Sequence, residues 1–299
     1  MTLALATKRQ GLAFSVGAWL LVGLSPLFPG GQSSAWLVAL LVAVFFLGVP
    51  HGALDTLYAR YVYRIQSFWA WVAFGLGYSG LAVMVVFLWL ATPLVFLGGF
   101  LLISAFHFSG DPVEETPAVF RALYGGAIIV LPALLHVQQV TELFSHLSGL
   151  EAADRLARIL HSVALPWLLA ALLAAALHAK KNSIASLEMV SVLALAVVVP
   201  PLLAFSMFFC AMHSSRHILR TRRYSEKRSF GHLFQVALPP FFLTLLAAAA
   251  GWICLQDESL SARVVQLLFV SLAALTVPHM VLVDGLRFFG RVRGRTVRS

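Results

Sequence analysis

Long apolar runs broken by short basic segments leave this chain very few ways to fold. About ten such runs can be placed, near residues 11–28, 35–58, 67–91, 93–109, 117–137, 162–179, 184–199, 202–219, 233–255 and 264–285. A helix needs about 20 apolar residues to cross the hydrocarbon core of a bilayer, and within lipid each segment must close its own backbone hydrogen bonds. The expected fold is all-α: a polytopic membrane helix bundle of about 8–10 transmembrane helices, forming a single integral-membrane domain over residues 1–299. The runs at 93–109 and 184–199 are short for a full crossing. Pro200 and Pro201 both lack a backbone N–H and clash with the preceding turn. They read as a turn between two spans, with a single kinked helix as the alternative.

Composition excludes the other classes. Sixty per cent of residues are apolar, 11% are charged and mean hydropathy is +0.90, which no ordinary soluble domain of 299 residues shows. The net charge of +9 does not signal nucleic acid, because the basic residues cluster between apolar runs as topology signals do. Cys210 and Cys254 both fall within apolar runs, too few for a thiolate metal site and misplaced for a disulfide framework. With a cytoplasmic N-terminus, ten spans leave only Arg155, Arg158 and Arg263 of the 21 basic residues outside. The expected location is thus the cell inner (plasma) membrane, with residues 1–10 and 286–299 as short basic cytoplasmic tails. The first run could instead be a signal peptide cleaved near Ser33-Ser34-Ala35, a poor cleavage site, so an uncleaved first span is expected.

Five histidines fall on that topology at one depth. His51 (GVPHGALD), His107 (SAFHFSGD), His213 and His217 (HSSRH) and His279 (TVPHMVLVD) all reach the inner-leaflet half of the bundle, each on a helix running outside to inside. Ionisable groups inside a bilayer are costly, and their default reading is a functional site. The remaining histidines do not share the pattern. His136, His146 and His161 lie at the outer side, His232 sits in a basic inner loop, and His178 ends a span beside Lys180 and Lys181, where an interfacial snorkelling role is expected.

His213 and His217 stand at i and i+4, so a helix stacks both imidazoles on one face, where they can hold one metal ion. His51 and Asp55 share that spacing, and a carboxylate accepting the far ring N–H fixes a ligand's tautomer. Asp111 follows His107 by four residues, but Gly110 and Pro112 end the helix there; Asp284 follows His279 by five, off the same face. These two are weaker supporting candidates than Asp55. His279 reads as a ligand, a supporting residue or a substrate gate. Arg216 either pairs with an acid at the site or marks the inner interface. A lone membrane histidine is more often a helix–helix hydrogen bond than a ligand, and Phe106, Phe108, Phe208 and Phe209 read most simply as packing. Four or five neutral nitrogen ligands with carboxylates behind them suit Fe(II), Cu or Zn. A metal in an apolar bundle implies an apolar substrate entering from lipid, so the residues alone point to a membrane metalloenzyme, oxidative in character.

The blocks GVPHGALD, SAFHFSGD, MHSSRH and TVPHMVLVD resemble, in order and over most of the chain, the signature blocks of the Brp/Blh family of bacterial and archaeal membrane β-carotene 15,15'-dioxygenases. That resemblance implies O2-dependent cleavage of the central double bond of β-carotene on a non-haem Fe(2+), giving two molecules of all-trans-retinal. It also implies iron ligation by His51, His107, His213 and His217, and a retinal-binding rhodopsin as the biological partner. Two rivals stand beside it. A membrane di-iron desaturase or hydroxylase of lipids needs about eight histidines with HxxHH clusters, and this chain has one HxxxH and no HH. A non-enzymatic retinal-protein assembly factor or transporter would use intramembrane polar residues to line a path, often with internal repeats, and no repeat is evident.

Overall fold

The computed structural model describes residues 3–27, 34–61, 63–112, 116–225 and 229–283. Among them every regular element is helical. In chain order the principal helices are α1 (Leu3–Leu24), α2 (the span Ala35–Tyr61), α3 (Phe68–Ala91), α4 (Pro93–Phe108), α5 (Ala118–Val130), α6 (Val137–Ser148), α7 (Leu150–His178), α8 (Ser183–Val198), α9 (Pro201–Met207, then a π-helical turn Phe208–Ser214, then Ser215–Thr221), α10 (Phe230–Cys254) and α11 (Leu260–Val283). Six of these (α1, α2, α3, α7, α10 and α11) are long and apolar enough to cross a membrane. Helices α4, α5 and α8 are shorter apolar helices.

The local sequence explains the helix ends. Ser67, Asn182 and Ser229 cap α3, α8 and α10 by accepting from the backbone N–H three residues on. Pro93 and Pro201 open α4 and α9, where a missing N–H costs nothing. Helix α8 stops at Val198 and α9 starts at Pro201, so the proline pair separates two helices rather than kinking one. Gly149 takes φ +80°, a left-handed value that suits glycine, and there the chain turns from α6 into α7.

The structure departs from the sequence reading in two places. The stretch between the fifth and sixth runs, where no span was placed, is helix: α6 buries Val140 and Leu147 and leaves its other face polar, and α7 already begins at Leu150. Residues 3–10 are not a tail but the first turns of α1, with Ala6 and Thr7 buried. The other expected tail, 286–299, and Asp284 lie outside the described residues.

Burial sorts the spans. Over their most apolar windows α2 and α11 are 56% and 61% buried, whereas α3 and α10 are each 6% buried. The outer helices show Leu76, Phe87, Leu90, Phe242, Leu243 and Leu246 to the surroundings, as lipid-facing helices do. The main core gathers Phe14, Leu41, Phe45, Phe108, Tyr124, Met189, Phe208, Leu268 and Leu272 from seven helices. The five histidines of interest lie on α2, α4, α9 and α11, against this core.

Candidate metal centre

Helical irregularity aims the histidines inward. In α2 a π-helical turn (Val44–Gly48) passes into a 3-10 turn (Val49–Leu54) that carries His51. In α9 the π-helical turn Phe208–Ser214 carries His213, and the following α-turn carries His217. Such π-turns insert a residue into the helix and are frequent at functional sites. Here they rotate His51 and His213 off the faces that the regular helix would give them. Ser215 Oγ donates 2.8 Å to the Cys210 carbonyl, five residues back, taking up an acceptor that the wide turn displaces.

The five rings converge. Ring centroids lie 5.0 Å apart for His51 and His213, 5.3 Å for His51 and His217, 5.4 Å for His51 and His279, 4.7 Å for His107 and His213, 5.1 Å for His107 and His279, and 4.9 Å for His217 and His279. His213 and His217, at i and i+4, are 6.4 Å apart. Ligand atoms of His51, His107 and His279 lie within 4.8 Å of one another, and all five residues are buried. His279, left between three roles by the sequence, thus stands in the tightest group.

Hydrogen bonds fix which nitrogen four of the rings present. His51 Nδ1 lies 2.6 Å from the Gly48 carbonyl, His213 Nδ1 3.0 and 3.1 Å from the Asp111 carboxylate, and His279 Nδ1 2.7 Å from Asp55 Oδ1. Carbonyl and carboxylate oxygens only accept, so each Nδ1 carries the proton and each neutral ring keeps its lone pair on Nε2. Thr221 Oγ1 donates 2.8 Å to the His217 carbonyl and stands 3.3 Å from His217 Nδ1, which assigns the same tautomer to His217. The Nε2 atoms of His213 and His217 are buried with no hydrogen-bond partner among the described residues. A buried lone pair left unpaired is costly, and a divalent cation accepting several imidazole nitrogens removes that cost. The donor set fits such a metal.

The carboxylates are placed by tertiary contacts rather than by helical spacing. Asp55 does not orient His51, as its i+4 position suggested; it accepts from His279 on one oxygen and from the Tyr78 hydroxyl, at 2.9 Å, on the other. Asp111 serves His213 of α9, not the neighbouring His107. Arg216 is fully buried and forms a two-pronged ion pair with Glu188 of α8, at 2.9 and 2.6 Å, so it is not an interface marker. Arg216, Arg220 and Arg121 also donate to four successive carbonyls, Ser109 to Pro112, and so fix the loop that presents Asp111. Burial alone would push the Asp111 carboxyl up, but His213 and the Arg220 and Arg216 guanidiniums hold it below the usual carboxylate range. Gly125 lets α5 approach this loop: a Cβ there would stand 2.2 Å from the Ala105 carbonyl oxygen and 2.4 Å from the Ser109 nitrogen.

Sequence reasoning missed Glu188, Gln10, Tyr78 and Ser214, whose hydroxyl is 3.0 Å from His51 Nδ1. Only Glu188 carried a signal, as the lone acid of an apolar run. The expected interfacial place for His178 is also corrected, since its ring is buried 5.1 Å from that of Phe120. His136 and His161 are spent on the Val198 and Ala133 carbonyls, away from the cluster.

On one side of the cluster lies a small cavity of about 20 Å³, room for one small molecule. His51, His107 and His213 form its polar wall; Phe100, Phe108, Phe205, Phe209 and Leu272 form the apolar one, with Ser104 and Thr276 between. Phe209 stacks on His213 at 5.6 Å and Phe108 meets it edge-on at 4.9 Å, so these two phenylalanines line the site. Phe208 packs in the core against Phe14, and Phe106 is exposed.

Residues 42–287 match the family model described as beta-carotene 15,15'-dioxygenase. A beta-carotene 15,15'-dioxygenase from an uncultured marine bacterium, 66A03, is 29% identical over 262 residues, covering 82% of this chain and 91% of that protein. No solved structure matches the chain.

Proposed function

The chain belongs to the beta-carotene 15,15'-dioxygenase family, and we propose that it is a membrane enzyme cleaving the central 15,15' double bond of β-carotene with O2 to give two molecules of all-trans-retinal. The observation that carries this reading is the convergence of five buried imidazoles, four of which are held by hydrogen bonds at Nδ1 that leave the lone pair on Nε2. His51, His107, His213 and His217 would hold Fe(2+), with His279 as a fifth nitrogen. Iron held by these nitrogens would supply the redox-active centre at which O2 reacts.

The chain's own residues do the rest. Asp111 and Asp55 hold the imidazoles of His213 and His279 in one tautomer and orientation, and raise their basicity. Phe108 and Phe209 pack on His213 and form part of the apolar wall beside the histidines, where they would keep water from the reacting bond. The substrates would be β-carotene from the bilayer and O2, and retinal would pass to a rhodopsin. The distribution of basic residues supports an inner-membrane placement with both termini cytoplasmic. Expression in a carotene-producing bacterium tests the whole reading. Retinal should accumulate as orange colour fades, and a strain that keeps its carotene and makes no retinal rules the reading out.

Asp55→Asn keeps the side-chain shape and an acceptor for His279 but loses the charge. Loss of such a supporting carboxylate typically changes metal affinity or activity by about 10–100-fold. The purified variant should need correspondingly more iron to saturate and should be weak rather than dead. A titration curve matching that of the wild type would remove Asp55 from the site.

A further inference from the structure

Helix α1 lies wholly before the residues matched by the family model, which begin at 42, yet it reaches the metal centre through one side chain. Gln10 Nε2 donates 2.6 Å to the Ala211 carbonyl and 3.3 Å to that of Met212, the two residues before His213. Its Oε1 accepts, at 2.9 Å, from Nε of Arg216, which stands between His213 and His217 in sequence. Carbonyls only accept and a guanidinium only donates, so these partners fix the orientation of the amide. A single side chain thus ties two carbonyls of the π-helical turn to the guanidinium that follows them.

The approach of α1 is built for this contact. A Cβ at position 11 would stand 1.8 Å from Glu188 Oε1 and 2.9 Å from Arg216 Nη2, so only glycine lets the helix close on the buried ion pair. Elsewhere α1 shows Leu5, Leu12, Val16, Trp19 and Leu20 outward. We propose that Gln10 is a positioning residue for the histidine pair, locking the π-helical turn under His213 and, through Arg216, the start of the turn bearing His217. The proposal rests on the metal reading above.

Fe(II) titration of the purified full-length protein, under argon, tests it with Gln10→Glu, Gln10→Met and His213→Ala. Gln10→Glu keeps an acceptor for Arg216 but loses the donor to the two carbonyls; Gln10→Met loses both. Both Gln10 variants should bind Fe(II) about tenfold more weakly, and the electron paramagnetic resonance spectrum of the nitric oxide adduct at saturating iron should be altered. If Gln10→Met does not accumulate in the membrane, Gln10→Glu decides alone. Lower thermal stability with wild-type iron affinity and an unchanged spectrum would make Gln10 a mere packing anchor and overturn the lock. His213→Ala separates the two ideas. If it loses iron while the Gln10 variants do not, the lock alone fails; if it binds iron as the wild type does, the metal reading and the lock fail together.

Discussion

Replacing His213 by Ala is expected to abolish retinal formation and to strip most of the iron, while the protein still inserts in the membrane. His213 touches more of the cluster than sequence spacing alone implies: its ring meets those of His51, His107 and His217, and Asp111 fixes its tautomer. Truncating one imidazole leaves the other nitrogens converging on a site with a missing corner. Single Ala variants of His51, His107 and His217 should behave alike. His136→Ala and His161→Ala are the matched controls, because among the described residues their rings bond to the Val198 and Ala133 carbonyls and not to the cluster, and they should keep most activity. Iron content by elemental analysis and retinal by chromatography read the outcome. Full activity in His213→Ala would end the single-iron assignment.

The second large effect is on stability. Arg216→Met keeps volume but leaves Glu188 buried without its guanidinium, and breaking a buried pair from one side costs about 3–5 kcal/mol. The same change removes one of the two guanidinium donors to the Asp111 carbonyl and takes away the donor to Gln10 Oε1. Thermal unfolding in detergent should show a markedly less stable protein with a low membrane yield. Arg216→Lys should recover little, because an ammonium cannot fork onto both Glu188 oxygens. Pairing Arg216→Met with Glu188→Gln should recover part of the loss, since no charge is then stranded. Wild-type stability in Arg216→Met alone would show the pair to be dispensable.

Much of this was legible in the chain. Apolar length gave helices at all ten runs, and six of the described helices are long and apolar enough to cross a membrane, where each segment must satisfy its own backbone. The proline pair at 200–201 marked a true break, since a missing donor acts locally. The histidines were visible because an ionisable group in an apolar run needs a reason that its neighbours in sequence do not supply. The amphipathic α6 escaped because a helix lying outside the apolar runs carries no length signal.

Helical spacing misled wherever the helix was not regular or the partner was not local. Asp55 stands one turn from His51, yet the short 3-10 segment between them and the crossing of α11 hand it to His279 instead. Asp111 appeared stranded past the end of α4, and only the arginine-held loop brings it to His213 on α9. Arg216 read as a charge that could face either way until Glu188, Gln10 and a glycine on α1 closed around it. The sequence by itself determined which residues must leave water and which ionisable groups go with them, because burial and backbone satisfaction are dictated by local composition. Only the tertiary structure decided who partners whom, because a buried hydrogen bond depends on which helix faces cross and where a π-turn shifts the register, and neither is written in the spacing of one segment.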